Sequence, residues 1–143
     1  MYQISKYLGV KILKQKKIEI SPQTIHRPFG NYSHGVLNIE TGFLLISGQL
    51  GINLDGSIPN SFIKQAEICF SNIDAIIKEA NFNRENILRL NTFLTDRKNL
   101  PEYMKVRDSF FSDIALKPAS TVVIVSGFTK PEFFVEIEAI AQK

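Results

Sequence analysis

Val135-Glu136-Ile137-Glu138-Ala139-Ile140 alternates with a period of two, which reads as a strand with two unlike faces. Val135, Ile137 and Ala139 point to one side, suited to a cover of helices, while Phe134, Glu136, Glu138 and Ile140 point to the other. Carboxylates set between apolar neighbours are costly to bury. Two readings stay open at this point. One is a solvated strand edge or an ion pair across an interface. The other is a carboxyl with a raised pKa, able to move protons or orient a water. Just upstream, Thr121, Val123 and Val125 share one face of a second strand, and Val122 and Ile124 share the other. Apolar residues on both faces predict burial on both.

Working outward, residues 61–80 carry Phe62, Ala66, Cys69, Phe70, Ile73, Ile76, Ile77 and Ala80 at steps of three and four, the period of an amphipathic helix. Asn60 or Ser61 can cap its start, and Asn81 can take the left-handed position after its end. A second helix is predicted over 101–112, with Tyr103, Val106, Phe110 and Phe111 inward. Strands are predicted over 17–20, 35–39, 43–50, 87–95, 120–125 and 133–141; the second and third form a hairpin, and Gly127 to Pro131 makes the turn between the last two. The order β-β-β-α-β-α-β-β is an α+β domain whose two helices cover one sheet face. No third layer remains for the other face, so a second copy of the chain is expected there.

The 143 residues suit one domain, and the composition, 44% hydrophobic and 22% charged, is that of an ordinary globular protein. No apolar run approaches the ~18 residues of a membrane span, and the first residues lack a continuous apolar leader, so a cytoplasmic protein is expected. Residues 1–17 hold five lysines and no acid, whereas the rest carry 12 basic and 14 acidic side chains. The basic character therefore belongs to an extension, residues 1–15, ahead of a single domain over 16–143. With a near-neutral body, no tryptophan and no basic stripe interleaved with aromatics, nucleic acid is a disfavoured partner.

Conventional catalytic signatures are absent. There are two histidines, His26 and His34, no H-E-x-x-H, no G-x-S-x-G elbow and no phosphate-binding glycine loop. One cysteine excludes an internal disulfide and a multi-thiolate zinc site, and its place on the apolar face of the long helix marks Cys69 as a small buried hydrophobe. No metal ligation is expected.

Several short segments occur together, in order: Gly30-Asn31-Tyr32-Ser33-His34-Gly35, Ile46-Ser47-Gly48-Gln49, Gln65-Ala66, Asn72-Ile73, Pro118-Ala119, and Val135-Glu136-Ile137-Glu138-Ala139-Ile140-Ala141. In these the chain resembles, over roughly residues 16–142, the Rid/YjgF-type reactive-intermediate deaminases, also called L-PSP endoribonucleases. The resemblance implies a chorismate-mutase-like homotrimer with a small-molecule ligand in each inter-subunit cleft. It also implies cofactor-free hydrolysis of enamines and imines to a carbonyl compound and ammonia. By the same resemblance Glu136 is the catalytic carboxylate that handles water and its proton. Tyr32, Ser47, Gly48 and the position of Ser120 line the pocket, and Val122 supplies a backbone N–H.

The departure lies at Ser120. Family members carry an arginine there that forks onto the substrate carboxylate, and serine has neither its charge nor its bidentate geometry. Met104 and Asn31 depart as well. Arg89, Lys117 and Lys130 are the candidate replacements. The expected function is therefore imine or enamine hydrolysis with an altered substrate. The alternatives are a non-catalytic trimer that binds a small ligand or protein and, behind it, RNA binding or cleavage.

Overall fold

The structure, a computed structural model, describes residues 15–143, so the predicted basic extension lies almost wholly outside the described residues. Its strands are β1 (Lys17–Ile20), β2 (Gly35–Asn38), β3 (Phe43–Leu50), β4 (Ile87–Leu94), β5 (Ala119–Ile124) and β6 (Val135–Gln142). Helix α1 (Phe62–Glu79) lies between β3 and β4, and α2 (Leu100–Phe110) between β4 and β5. The expected element order is thus the observed one. The hydroxyl of Ser61 accepts from the N–H of Lys64, and Asn81, at φ 59°, ends α1 in the left-handed conformation.

The six strands make one sheet in the order β1-β2-β3-β6-β4-β5. Only β4 and β5 pair parallel; every other neighbouring pair is antiparallel. The last strand is therefore inserted between β3 and β4. Its inward residues Val135, Ile137, Ala139 and Ala141 are buried under α1 together with Leu44, Ile46, Leu90 and Leu94. Each of the valine, leucine and isoleucine side chains contributes roughly 1.5–3 kcal/mol on burial. Tyr103 of α2 is fully buried, with its hydroxyl 2.6 Å from Thr92 Oγ1 on β4. Among the described residues no helix is long and apolar enough to cross a membrane.

The Gly127–Pro131 turn links β5 to β6 in the chain, as read, and crosses β4, which lies between them in the sheet. Within one chain β5, expected to be covered on both faces with a second copy over the open one, is an edge strand, with Val123 45% and Ile124 42% exposed. The helices pack mainly over β3, β6 and β4, and α2 reaches β5 through Tyr103, beside Ser120. On the face opposite the helices, Leu45 and Phe43 are also exposed.

Candidate active site

The site begins with a fault in strand pairing. Ile46 pairs with Ala139 and Gln49 with Ile137, so β3 uses three steps where β6 uses two. The extra residue makes a bulge at Ser47-Gly48, a device that bends a strand and re-aims side chains. Gly48 leaves the Glu136 carboxyl its place. A Cβ at that position would lie 1.9 Å from Glu136 Oε1 and 2.7 Å from Glu136 Cδ. The carboxyl of Glu136 therefore rests on bare backbone.

The bulge is pinned from the β1–β2 loop. The N–H of Ser47 donates to the carbonyl of His34 at 2.9 Å, and its hydroxyl donates to the carbonyl of Ser33 at 2.7 Å. Gln49 Nε2 donates to the Ser47 carbonyl at 2.9 Å and faces His34 Nδ1 at 3.3 Å, while His34 Nε2 meets the His26 carbonyl at 2.8 Å. These partners assign the tautomer: Nε2 carries the proton and Nδ1 accepts. Burial, the largest cause, lowers the pKa of His34 and keeps the ring neutral. The bond between Ser33 and Ser47 ties the Tyr32 loop to the bulge. Tyr32 itself is half-exposed, its hydroxyl accepting from the Phe29 N–H at 3.3 Å.

Glu136 and Glu138 share the sheet face turned away from the helices, as their alternation predicts. Glu138 accepts from Asn91 Nδ2 at 2.9 Å. The pKa of Glu136 is raised, first by removal from water and second by the charge of Glu138. A carboxyl shifted this way is a stronger base once ionised.

Ser120 and Val122 stand elsewhere. Ser120 pairs with Leu90 and Val122 with Thr92, both buried on the helix side, whereas Glu136 pairs with Phe93 on the open side. Ser120 lies beside the Tyr103 hydroxyl. One chain therefore does not bring Ser120 and Glu136 together: two strand spacings of about 4.8 Å and the thickness of the sheet separate them. The N–H of Val125 bonds the carbonyl of Leu94, and the period of a parallel ladder then turns the N–H groups of Val122 and Ser120 to the open edge.

The three candidate cations also have positions. Arg89 donates to Thr121 Oγ1 at 3.1 Å on the face away from Ser120, and Lys130 is exposed in the turn before β6. Lys117 lines a cavity with Ser120. Cys69 is buried with its thiol on the Gln49 carbonyl at 3.1 Å, and burial pushes its pKa up, as a structural cysteine requires. Sequence reasoning gave no role to the His34–Gln49 pair or to Arg107, which shares the Ser120 cavity. Polar residues inside apolar runs are the signal for the first; no sequence signal marks the second.

Comparison with known proteins follows the same lines. The family model described as Endoribonuclease L-PSP matches residues 24–143. A RutC family protein of Aquifex aeolicus is 39% identical over 117 residues, 81% of this chain and 91% of that protein. Among solved structures, YyfA of the conserved Rid protein family from Yersinia pestis is 30% identical with a TM-score of 0.82, covering 89% of this chain and 99% of that one. E. coli TdcF with bound serine is 27% identical with a TM-score of 0.81, covering 88% and 98%.

Proposed function

This chain belongs to the endoribonuclease L-PSP family, and we propose that it acts as a homotrimer hydrolysing a small imine or enamine in a cleft shared by two copies. The observation that carries the reading is Glu136: a half-buried carboxyl with a raised pKa, seated on Gly48 at a bulge held by its own hydrogen-bond network. Glu136 and Ser120 lie on opposite faces of one sheet. They meet one small molecule only when they come from different copies. The exposed apolar residues Phe43, Leu45 and Val123 on the open face support that assembly.

In the reaction Glu136 takes a proton from water as the oxygen adds to the C=N carbon. It returns that proton to the imine nitrogen to give the carbinolamine, then takes the hydroxyl proton and passes it to the amine nitrogen as the C–N bond breaks, giving a carbonyl compound and ammonia. An enamine first takes a proton on carbon to become the imine. Tyr32 and the outward N–H of Val122 orient the substrate. TdcF was solved with bound serine, which supports a small-molecule ligand. Ser120 offers no cation, so we expect an altered substrate rather than the imines of ordinary amino acids. The absent arginine also favours a second reading, a trimer that binds a small ligand without turning it over.

The test joins two measurements. Sedimentation at micromolar concentration should give a trimer, and a monomer overturns the shared cleft. Ammonia release from imines generated in situ by amine and amino-acid oxidases should be slow in the wild type for the imines of ordinary amino acids, and the release that the wild type gives on any imine of the set should vanish in Glu136→Gln. Release unchanged in that variant removes Glu136 from the chemistry, and ligand binding without release in the wild type selects the second reading.

A further inference from the structure

We propose that the cation missing at Ser120 is supplied across the cavity by Arg107 of α2, backed by Lys117, and that this pocket selects a carboxylate carried on an apolar stem. The inference deepens the hydrolase reading and rests on it for the identity of the reacting group. The cavity holds about 250 Å³ and is lined by Arg107, Asp108, Phe111, Lys117, Pro118 and Ser120. An arginine at 120 would project into this space; serine leaves it open.

Both cations are held in place by the chain itself. The Arg107 guanidinium lies 5.7 Å from the ring centroid of Tyr103, the buried residue beside Ser120. Its Nε and Nη2 both donate to one oxygen of Asp108, at 3.0 and 2.8 Å, and among the described residues Nη1 makes no hydrogen bond. The Lys117 ammonium donates to the carbonyls of Phe111, at 2.6 Å, and Ile114, which uses two of its three N–H groups. The carbonyls at the end of α2 offset part of that charge, so Arg107 is the principal anchor.

Asp108 stands where a ligand carboxylate would bind. Its side chain is 67% exposed against 26% for Arg107. An exposed pair of this kind contributes little, so an incoming carboxylate displaces Asp108 into water readily. The rest of the wall is apolar, from Phe111 and Pro118. A ligand reaching Arg107 has to fill the volume that the methylenes of an arginine at 120 would occupy. A carboxylate attached directly to the imine carbon lacks that length; one carried on several methylene groups has it.

The intact protein is titrated calorimetrically with acetate, butyrate, hexanoate and the uncharged hexanamide. Affinity should rise along the carboxylates and be absent for hexanamide. Arg107→Gln should weaken hexanoate at least tenfold, Arg107→Lys should recover part of the loss, and Asp108→Asn should strengthen binding several-fold by removing the internal competitor. Equal binding of hexanoate and hexanamide overturns the proposal. So does unchanged affinity in Arg107→Gln with an unaltered melting temperature. Ammonia release measured on the same proteins separates the two readings. Arg107-dependent carboxylate binding with no release from any imine leaves the pocket and ends the hydrolase reading. Release that ignores Arg107→Gln leaves the hydrolase and ends this one.

Discussion

The β3–β6 bulge and the β5 edge are the two halves of the candidate site, and they are built differently. At the bulge, each named polar group has a partner within the chain: Ser47 on Ser33 and His34, Gln49 on Ser47 and His34, His34 on His26. The Glu136 carboxyl lies on Gly48 with no room for a Cβ. At the edge, β5 is largely exposed, its outward N–H groups have no strand beside them among the described residues, and Ser120 opens on a cavity. The difference teaches where a site of this kind can change. A proton-handling group needs its dielectric and position set before the ligand arrives, so packing fixes it. An anion anchor at an open edge can move from a strand to a neighbouring helix without disturbing the core.

The comparison breaks first at Glu136. Glu136→Gln should reduce imine hydrolysis by about 10²–10⁴-fold, the scale of a general acid–base group, measured as ammonia release. It should also raise the melting temperature at neutral pH. A carboxyl with a raised folded pKa favours the native state at low pH and loses that contribution as pH rises through the folded value. A neutral amide is free of that loss, so activity and stability should move in opposite directions.

Gly48→Ala tests whether the bulge holds the carboxyl in place. The new Cβ meets the flexible end of Glu136, which can swing aside, so the stability loss should be about 1 kcal/mol, the low end for overpacking. The displaced carboxyl should lower kcat by about 10²-fold, the scale of an ångström misplacement. A melting temperature that falls steeply while kcat is kept would assign Gly48 to packing alone.

At the edge, Ser120→Arg should raise turnover of short imines such as that of 2-aminoacrylate by about 30-fold, the equivalent of about 2 kcal/mol for a carboxylate–guanidinium contact. It should also suppress hexanoate binding by filling the cavity. No gain in a variant that sediments like the wild type would favour the non-catalytic reading.

The smallest effect belongs to His34. A base whose folded pKa is lowered contributes fully above its ordinary value of about 6.5 and loses that contribution as pH falls through the folded value. The wild-type melting temperature should therefore drop by a few degrees between about pH 7 and pH 5 relative to His34→Gln, which has no ring to protonate. Identical pH profiles would show that the ring is not held neutral.

Legibility in the sequence followed locality. The period of 61–80, the cap at Ser61 and the left-handed Asn81 are properties of neighbouring residues, and all three stand as read. The alternation of Val135 to Ile140 put Glu136 opposite the helices, and the family followed from the ordered segments around it. The apolar alternation of β5 says that both faces prefer burial, not which chain buries them, and within one chain Val123 and Ile124 stay exposed.

The sequence alone thus determined the elements, the faces of their side chains and the family, because each depends on periods of two or 3.6 residues and on short ordered segments. Only the tertiary structure decided that β6 enters between β3 and β4, that its Glu136 lies on Gly48, and that Arg107 shares a cavity with Ser120. Those contacts join residues far apart in the chain, or a helix to a strand edge. Periodicity states which way a side chain points, and only the packing of the assembled sheet and helices selects what it meets.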